Sequence, residues 1–152
     1  LHVLSAIAKR FQVSFEALCI RFIKFTKQRA ILVYWDNGFV KYEWRSSSAI
    51  RTRARIRRNG DPQEPLPGTL AADTSIDQDW DGAEMSAAIW CPEEATHMKL
   101  WEFKHSYSAR DRILTLLLLE DAEPRSWDRS WQEGESFDSY DRFISAGQYP
   151  DR

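Results

Sequence analysis

Three histidines, two cysteines, a few paired carboxylates and a run of alternating arginines are the residues of this 152-residue chain whose chemistry could be put to use. A catalytic zinc helix needs two histidines one turn apart with a glutamate between them as base, and a third ligand further along. His2, His97 and His105 offer none of that spacing. His97 and His105 stand eight residues apart with a turn expected between them, so all three read as surface or core histidines. No serine, histidine and acid set has a recognisable elbow, and no glycine-rich phosphate loop occurs. Glu93 and Glu94 sit at a proline-flanked turn and read as two exposed acids. Cys19 and Cys91, one on an apolar helix face and one beside a proline, read as buried free thiols of a reducing cytoplasm. These residues by themselves predict a catalytically silent chain.

The arginines are more informative. Ile50, Thr52, Ala54 and Ile56 alternate with Arg51, Arg53, Arg55 and Arg57, a two-residue period that predicts a strand with one basic side. Such a side could track backbone phosphates without reading sequence. It could equally be a charged edge strand that resists pairing with other chains, which is the commoner use of such a face. The first 60 residues hold 13 Lys and Arg against 3 acids, and the remainder 8 against 20, so the chain is an electric dipole by sequence. Arg21, Lys24 and Lys27 belong to the same basic half. Together with Arg51, Arg53, Arg55 and Arg57 they are the candidate contacts to nucleic acid or to a partner.

These residues must be positioned by elements, and the clearest lie in residues 4–25, LSAIAKRFQVSFEALCIRFIKF. Leu4, Ile7, Ala8 and Phe11 recur at helical spacing, and Ser14 stands where a hydroxyl can cap a second helix. On that helix Leu18, Cys19, Phe22, Ile23 and Phe25 gather on one side and Glu16, Arg21, Lys24, Lys27 and Gln28 on the other. Ala8, Phe11-Gln12-Val13-Ser14, Ala17-Leu18 and Arg21-Phe22 resemble the helix-turn-helix-like segment that follows the catalytic part of the ImmA/IrrE family of zinc metallopeptidases. Gln12 stands where that family has Gly, and Phe22 where it has Leu. The resemblance continues, less specifically, to about Asp121 and implies a GAF-like sensor region.

Downstream, residues 31–35 and 39–44 flank Asp36-Asn37-Gly38 and predict a hairpin, with Val40, Tyr42 and Trp44 on one face of its second strand. Residues 59–68, NGDPQEPLPG, read as a surface connection, Thr69 as the cap of a short helix, and residues 77–84 as a solvated turn. The alternating Asp77, Asp79 and Asp81 have the look of a calcium loop, but no Glu closes its twelfth position. Residues 84–90, 96–104 and 112–120 predict three more strands, the last apolar on both sides and so placed mid-sheet. Trp127, Trp131, Phe137, Tyr140, Phe143 and Ile144 stand among polar residues in the tail.

The fold class expected is α+β: an N-terminal helix-turn-helix-like pair followed by a mostly antiparallel, GAF-like sheet with short helices. Residues 1–28 form the connector, 29–122 the sheet domain and 123–152 an aromatic-rich tail. The first residue is Leu inside an apolar pattern, which reads as the interior of a longer chain. The resemblance then implies a non-catalytic regulatory part of a cytoplasmic peptidase. Zinc would sit in the absent half of the parent chain, a helix-turn-helix repressor would be its substrate, and an unidentified small ligand would be sensed by the sheet. The rival reading is a DNA-binding transcription regulator with an effector-binding sheet. Its reading helix would present Phe15 and Glu16 to base edges, a ring and an acid that phosphates repel. A plain interaction module using the aromatic tail is the third. No run is long enough to cross a bilayer as a helix, so no membrane partner is expected.

Overall fold

A computed structural model describes residues 1–107 and 111–125. Helix α1, His2–Phe11, ends at Gln12, whose φ of 52° is left-handed and brings the N–H of Val13 onto the Ala8 carbonyl at 3.1 Å. Ser14 then caps α2, Phe15–Phe25, its Oγ accepting from the N–H of Ala17 at 3.1 Å. Strand β1, Arg29–Asp36, turns at Asn37 and Gly38, both at positive φ, into β2, Phe39–Arg45. Short helix α3, Ser47–Arg51, is followed by a long connection to β3, Gln78–Ser86. Helix α4, Ala87–Trp90, leads on to β4, Lys99–Tyr107, and β5, Arg112–Leu119.

The five strands make one open antiparallel sheet in the order β2-β1-β5-β4-β3. The apolar β5 is therefore central, as its two-sided pattern predicts, between β1 and β4. One face packs Leu32, Tyr34, Leu114 and Leu116 against Cys19 and Ile23 of α2. The other packs Ile31, Val33, Trp35, Leu100 and Leu117 against Ala49, Ile56, Leu66 and Trp90. Three layers result, with α1 and α2 on one side and α3, α4 and the 52–76 connection on the other. Among the described residues no helix is long and apolar enough to cross a membrane.

Several expectations change. The arginine strand is absent: Ser46 accepts from the N–H of Ala49 at 3.2 Å, starts α3 and winds Ile50 outward, where it is 41% exposed. Arg53 then takes φ 59°, and only 54–57 keep the alternation, with Ala54 and Ile56 buried and Arg55 and Arg57 exposed. In β2 the face expected for Val40, Tyr42 and Trp44 divides. Tyr34 pairs Tyr42 but Trp35 pairs Val40, so Lys41 is a bulge and Val40 packs with Trp35 while Trp44 packs with Tyr34. Thr69 opens turns rather than a helix, its hydroxyl donating to the Leu66 carbonyl. Residues 78–84 are strand rather than solvated turn, and 87–90 are helix rather than strand. Trp127, Trp131, Phe137, Tyr140, Phe143 and Ile144 lie outside the described residues.

Gly82 makes the strand reading work. It sits in the β3 bulge at φ 93°, with its N–H on Asp79 Oδ1, and a Cβ there would lie 2.6 Å from Cε1 of Phe103. Gly82→Ala is expected to cost about 1–3 kcal/mol from the left-handed backbone and the overpacked ring, read by urea unfolding.

Candidate functional site

The seven basic candidates do not form one surface. Arg21 lies over the ring of Phe25 on its own helix at 5.2 Å, with Lys24 exposed on that helix. Arg57 is turned back, its Nη2 donating to the Ala88 carbonyl at 2.9 Å and its Nε to that of Ile89, so it pins α4. Arg53 is half-buried at the left-handed turn and Arg55 is exposed on the segment after it. Only Lys27 and Arg51 are brought together, at a cleft of about 120 Å³ shared with Ser48, Thr52, Asp121 and Pro124. Ser48 Oγ donates to the Lys27 carbonyl at 2.7 Å, which fixes one wall of that cleft.

Beneath it lies a polar centre that residue types alone do not mark as functional. Arg29 is 2% exposed. Its Nε donates to Thr52 Oγ1 at 2.8 Å, its Nη1 to the Glu120 carbonyl at 2.6 Å and its Nη2 to Glu94. Glu94, read from sequence as an exposed acid, is thus a buried counter-ion, while Glu93 stays at the surface and pairs Arg125. An arginine opening an otherwise apolar strand was the available signal.

On the helix-bearing face, Phe15 packs against Trp80 and His105, with ring centres 6.0 and 4.9 Å away, and His105 packs edge-on to Tyr107. Trp80 Nε1, His105 Nδ1 and Tyr107 Oη are sealed in this seam without a hydrogen-bond partner among the described residues. Burial holds the His105 imidazole below its ordinary value near 6.5. The unfolded chain therefore takes up a proton before the folded one does. Stability from this group is complete above about pH 6.5 and is lost as pH falls through that value toward the folded pKa. His105→Phe is expected to flatten that loss, read as the difference in thermal midpoint from the parent chain between about pH 7.5 and pH 5. Cys19 and Cys91 are buried and free, and burial pushes both thiols up to about 12, where they are poor nucleophiles at neutral pH.

The opposite face holds a second buried carboxylate. Glu102 Oε1 accepts from the N–H of Ala71 at 2.8 Å, and Oε2 from the N–H of Leu70 at 3.0 Å and from Trp90 Nε1 at 3.2 Å. Lys104, also buried, donates to the Asp73 carbonyl at 2.6 Å. These two side chains of β4 hold the 70–73 turns down on the sheet. Beyond those turns lies a cavity of about 360 Å³, open to solvent and bounded by Leu70, Ala72, Asp73, Ala83 and Met85.

With Asp77 as the first position, Gly82 stands at the sixth, where a calcium loop has its turn glycine, but β3 uses it for the bulge. Among the described residues no group of three His, Cys, Asp or Glu side chains is placed to hold a metal ion. No family model matches the chain, and no curated protein matches it.

Proposed function

We propose that this chain is the non-catalytic regulatory part of an ImmA/IrrE-like zinc peptidase whose parent would cleave a helix-turn-helix repressor. In this reading residues 1–28 are the connector to a metal-bearing half, and the sheet is a GAF-like sensor for a small ligand. The observation that carries it is the backbone between α1 and α2. The chain turns left-handed at Gln12, at the position where that family has Gly, and Ser14 caps the next helix where the family has Val-Ser. The turn thus adopts the geometry for which the family's residues are suited. A second support is the outward side of α1, where Val3 and Phe11 are 72% and 67% exposed. A connector helix needs an apolar side for each of the two bodies that it joins.

The rival DNA-binding reading needs the start of α2 free to enter a groove. Phe15 is instead packed on Trp80 and His105.

Two measurements test the proposal. Incubating the chain with zinc and a helix-turn-helix repressor is expected to leave the repressor intact, and proteolysis would reject the reading. Mixing it with the zinc-bearing half of such a peptidase is expected to give a complex that Phe11→Asp weakens at unchanged thermal midpoint. Absence of any complex counts against the kinship. Replacing Gln12 by Gly is expected to raise stability by up to about 1 kcal/mol by relieving the left-handed conformation, read by urea unfolding.

A further inference from the structure

The two edges of the sheet are finished differently. At the β2 edge the N–H of Val40 donates to the Gln63 carbonyl at 2.9 Å, so the 59–68 connection covers it there. At the β3 edge the bulge ends at Ala83, and residues 83–86 run in regular register with β4. Among the described residues no backbone bond covers the outer side of 83–86. The cavity described above lies along this same stretch, lined by Ala83 and Met85 of the strand and by Thr69, Leu70, Ala72 and the exposed Asp73 of the turns beside it.

Residues 59–98 hold nine acids and no Lys or Arg; Glu94 and Glu93 pair with Arg29 and Arg125, and the carboxylates beside residues 83–86 are Asp73 and Glu84. Asp73 is exposed at the groove, and Glu84 stands on the opposite face of the same strand, where Lys99 at 2.7 Å neutralises part of its charge. The chain's own residues 126–152 hold six acids and three arginines, a poor match in charge.

We propose that the outer edge of β3 and the groove beside it dock an extended basic peptide by strand addition. Peptide backbone pairs with 83–86, which an open edge permits and the bulge limits to a short segment. Side chains of an extended strand alternate between faces. One set, small and apolar, enters the groove over Ala83 and Met85, and the other, lysine or arginine, meets Glu84. Asp73 takes a further cation at the groove. This inference stands independently of the peptidase kinship.

The test uses the full chain and a labelled peptide of alternating valine and lysine, followed by fluorescence anisotropy. Saturable binding is expected, weakened about tenfold when the peptide is N-methylated at alternate residues, which keeps its charge and side chains but removes the pairing N–H groups. Ala83→Lys, a charge placed in the groove lining, is expected to weaken binding by a similar factor. Asp73→Lys, a surface change, gives a second reading if Ala83→Lys does not fold. Equal binding of the parent and N-methylated peptides would overturn the proposal in favour of charge alone. So would the absence of saturable binding, or binding that both variants leave unchanged. Sedimentation showing self-association that Ala83→Lys abolishes would assign the edge to a second copy of the chain and overturn it as well.

Discussion

Arg29→Ala is expected to lower the free energy of unfolding by about 3–5 kcal/mol, a large share of the roughly 5–15 kcal/mol that a domain of this size commands. The guanidinium joins β1 to Thr52 at the end of α3, to the carbonyl of Glu120 just past β5, and to Glu94 after α4. Its removal leaves the buried Glu94 carboxylate without its counter-ion and the Glu120 carbonyl without its donor, while the Thr52 hydroxyl keeps its bond to the Ser48 carbonyl. Loss of one member of a buried pair costs more than the pair contributes, because the survivor keeps its desolvation penalty. The double variant Arg29→Met with Glu94→Leu is therefore expected to recover much of the loss. Chemical unfolding of the two single variants and the double variant forms a cycle that checks this. A double variant as unstable as Arg29→Ala would show that the packing of the guanidinium, rather than its charge, is what matters.

Glu102→Ala is expected to cost about 3 kcal/mol or more, since it strands three donors at about 1–3 kcal/mol each, part of which water entering the site recovers. Glu102→Gln keeps the shape but turns an amide N–H₂ toward at least one N–H, and about 1–3 kcal/mol is expected. Burial raises the Glu102 pKa above the ordinary value near 4.5, outweighing the three N–H groups and Lys104, which lower it. The folded chain thus holds this proton to higher pH than the unfolded chain. The contribution of the group to stability is full below about pH 4.5 and falls as pH rises through the window up to the raised folded value. Glu102→Gln, neutral throughout, is expected to abolish that slope. The same variants free the 70–73 turns, so limited proteolysis there should accelerate. An alanine variant within about 0.5 kcal/mol of the parent would show that these bonds contribute little net stability.

What the residues disclosed in advance follows from the range of the forces involved. Capping and periodicity are local, so the two opening helices, the Asn37-Gly38 hairpin and the central place of the 112–119 strand were legible. The arginine stretch misled because two-residue alternation over eight residues competes with a serine cap at Ser46, and the cap won. The Lys41 bulge could not be read, because it depends on which residues of β1 stand opposite. The paired interior groups were hidden for the same reason. Glu94 looked like a surface acid until Arg29, 65 residues earlier, was placed beside it. Of the candidate basic residues, sequence supplied the types and the fold supplied the division among four places.

Among the described strands the central one is also the last to be made. Strand β1 has its partner β2 within a few residues, but its other neighbour begins at Arg112, and β4 likewise waits for β5. Until the chain has been synthesised past Leu119, the apolar β1 lacks one flank and no sheet can close. Loops of this length make nucleation slow and concentrate it in a single late event. A nascent chain stalled before that point would expose an unpaired greasy strand to its neighbours, so the demand for a chaperone falls on the interval just before β5 leaves the ribosome.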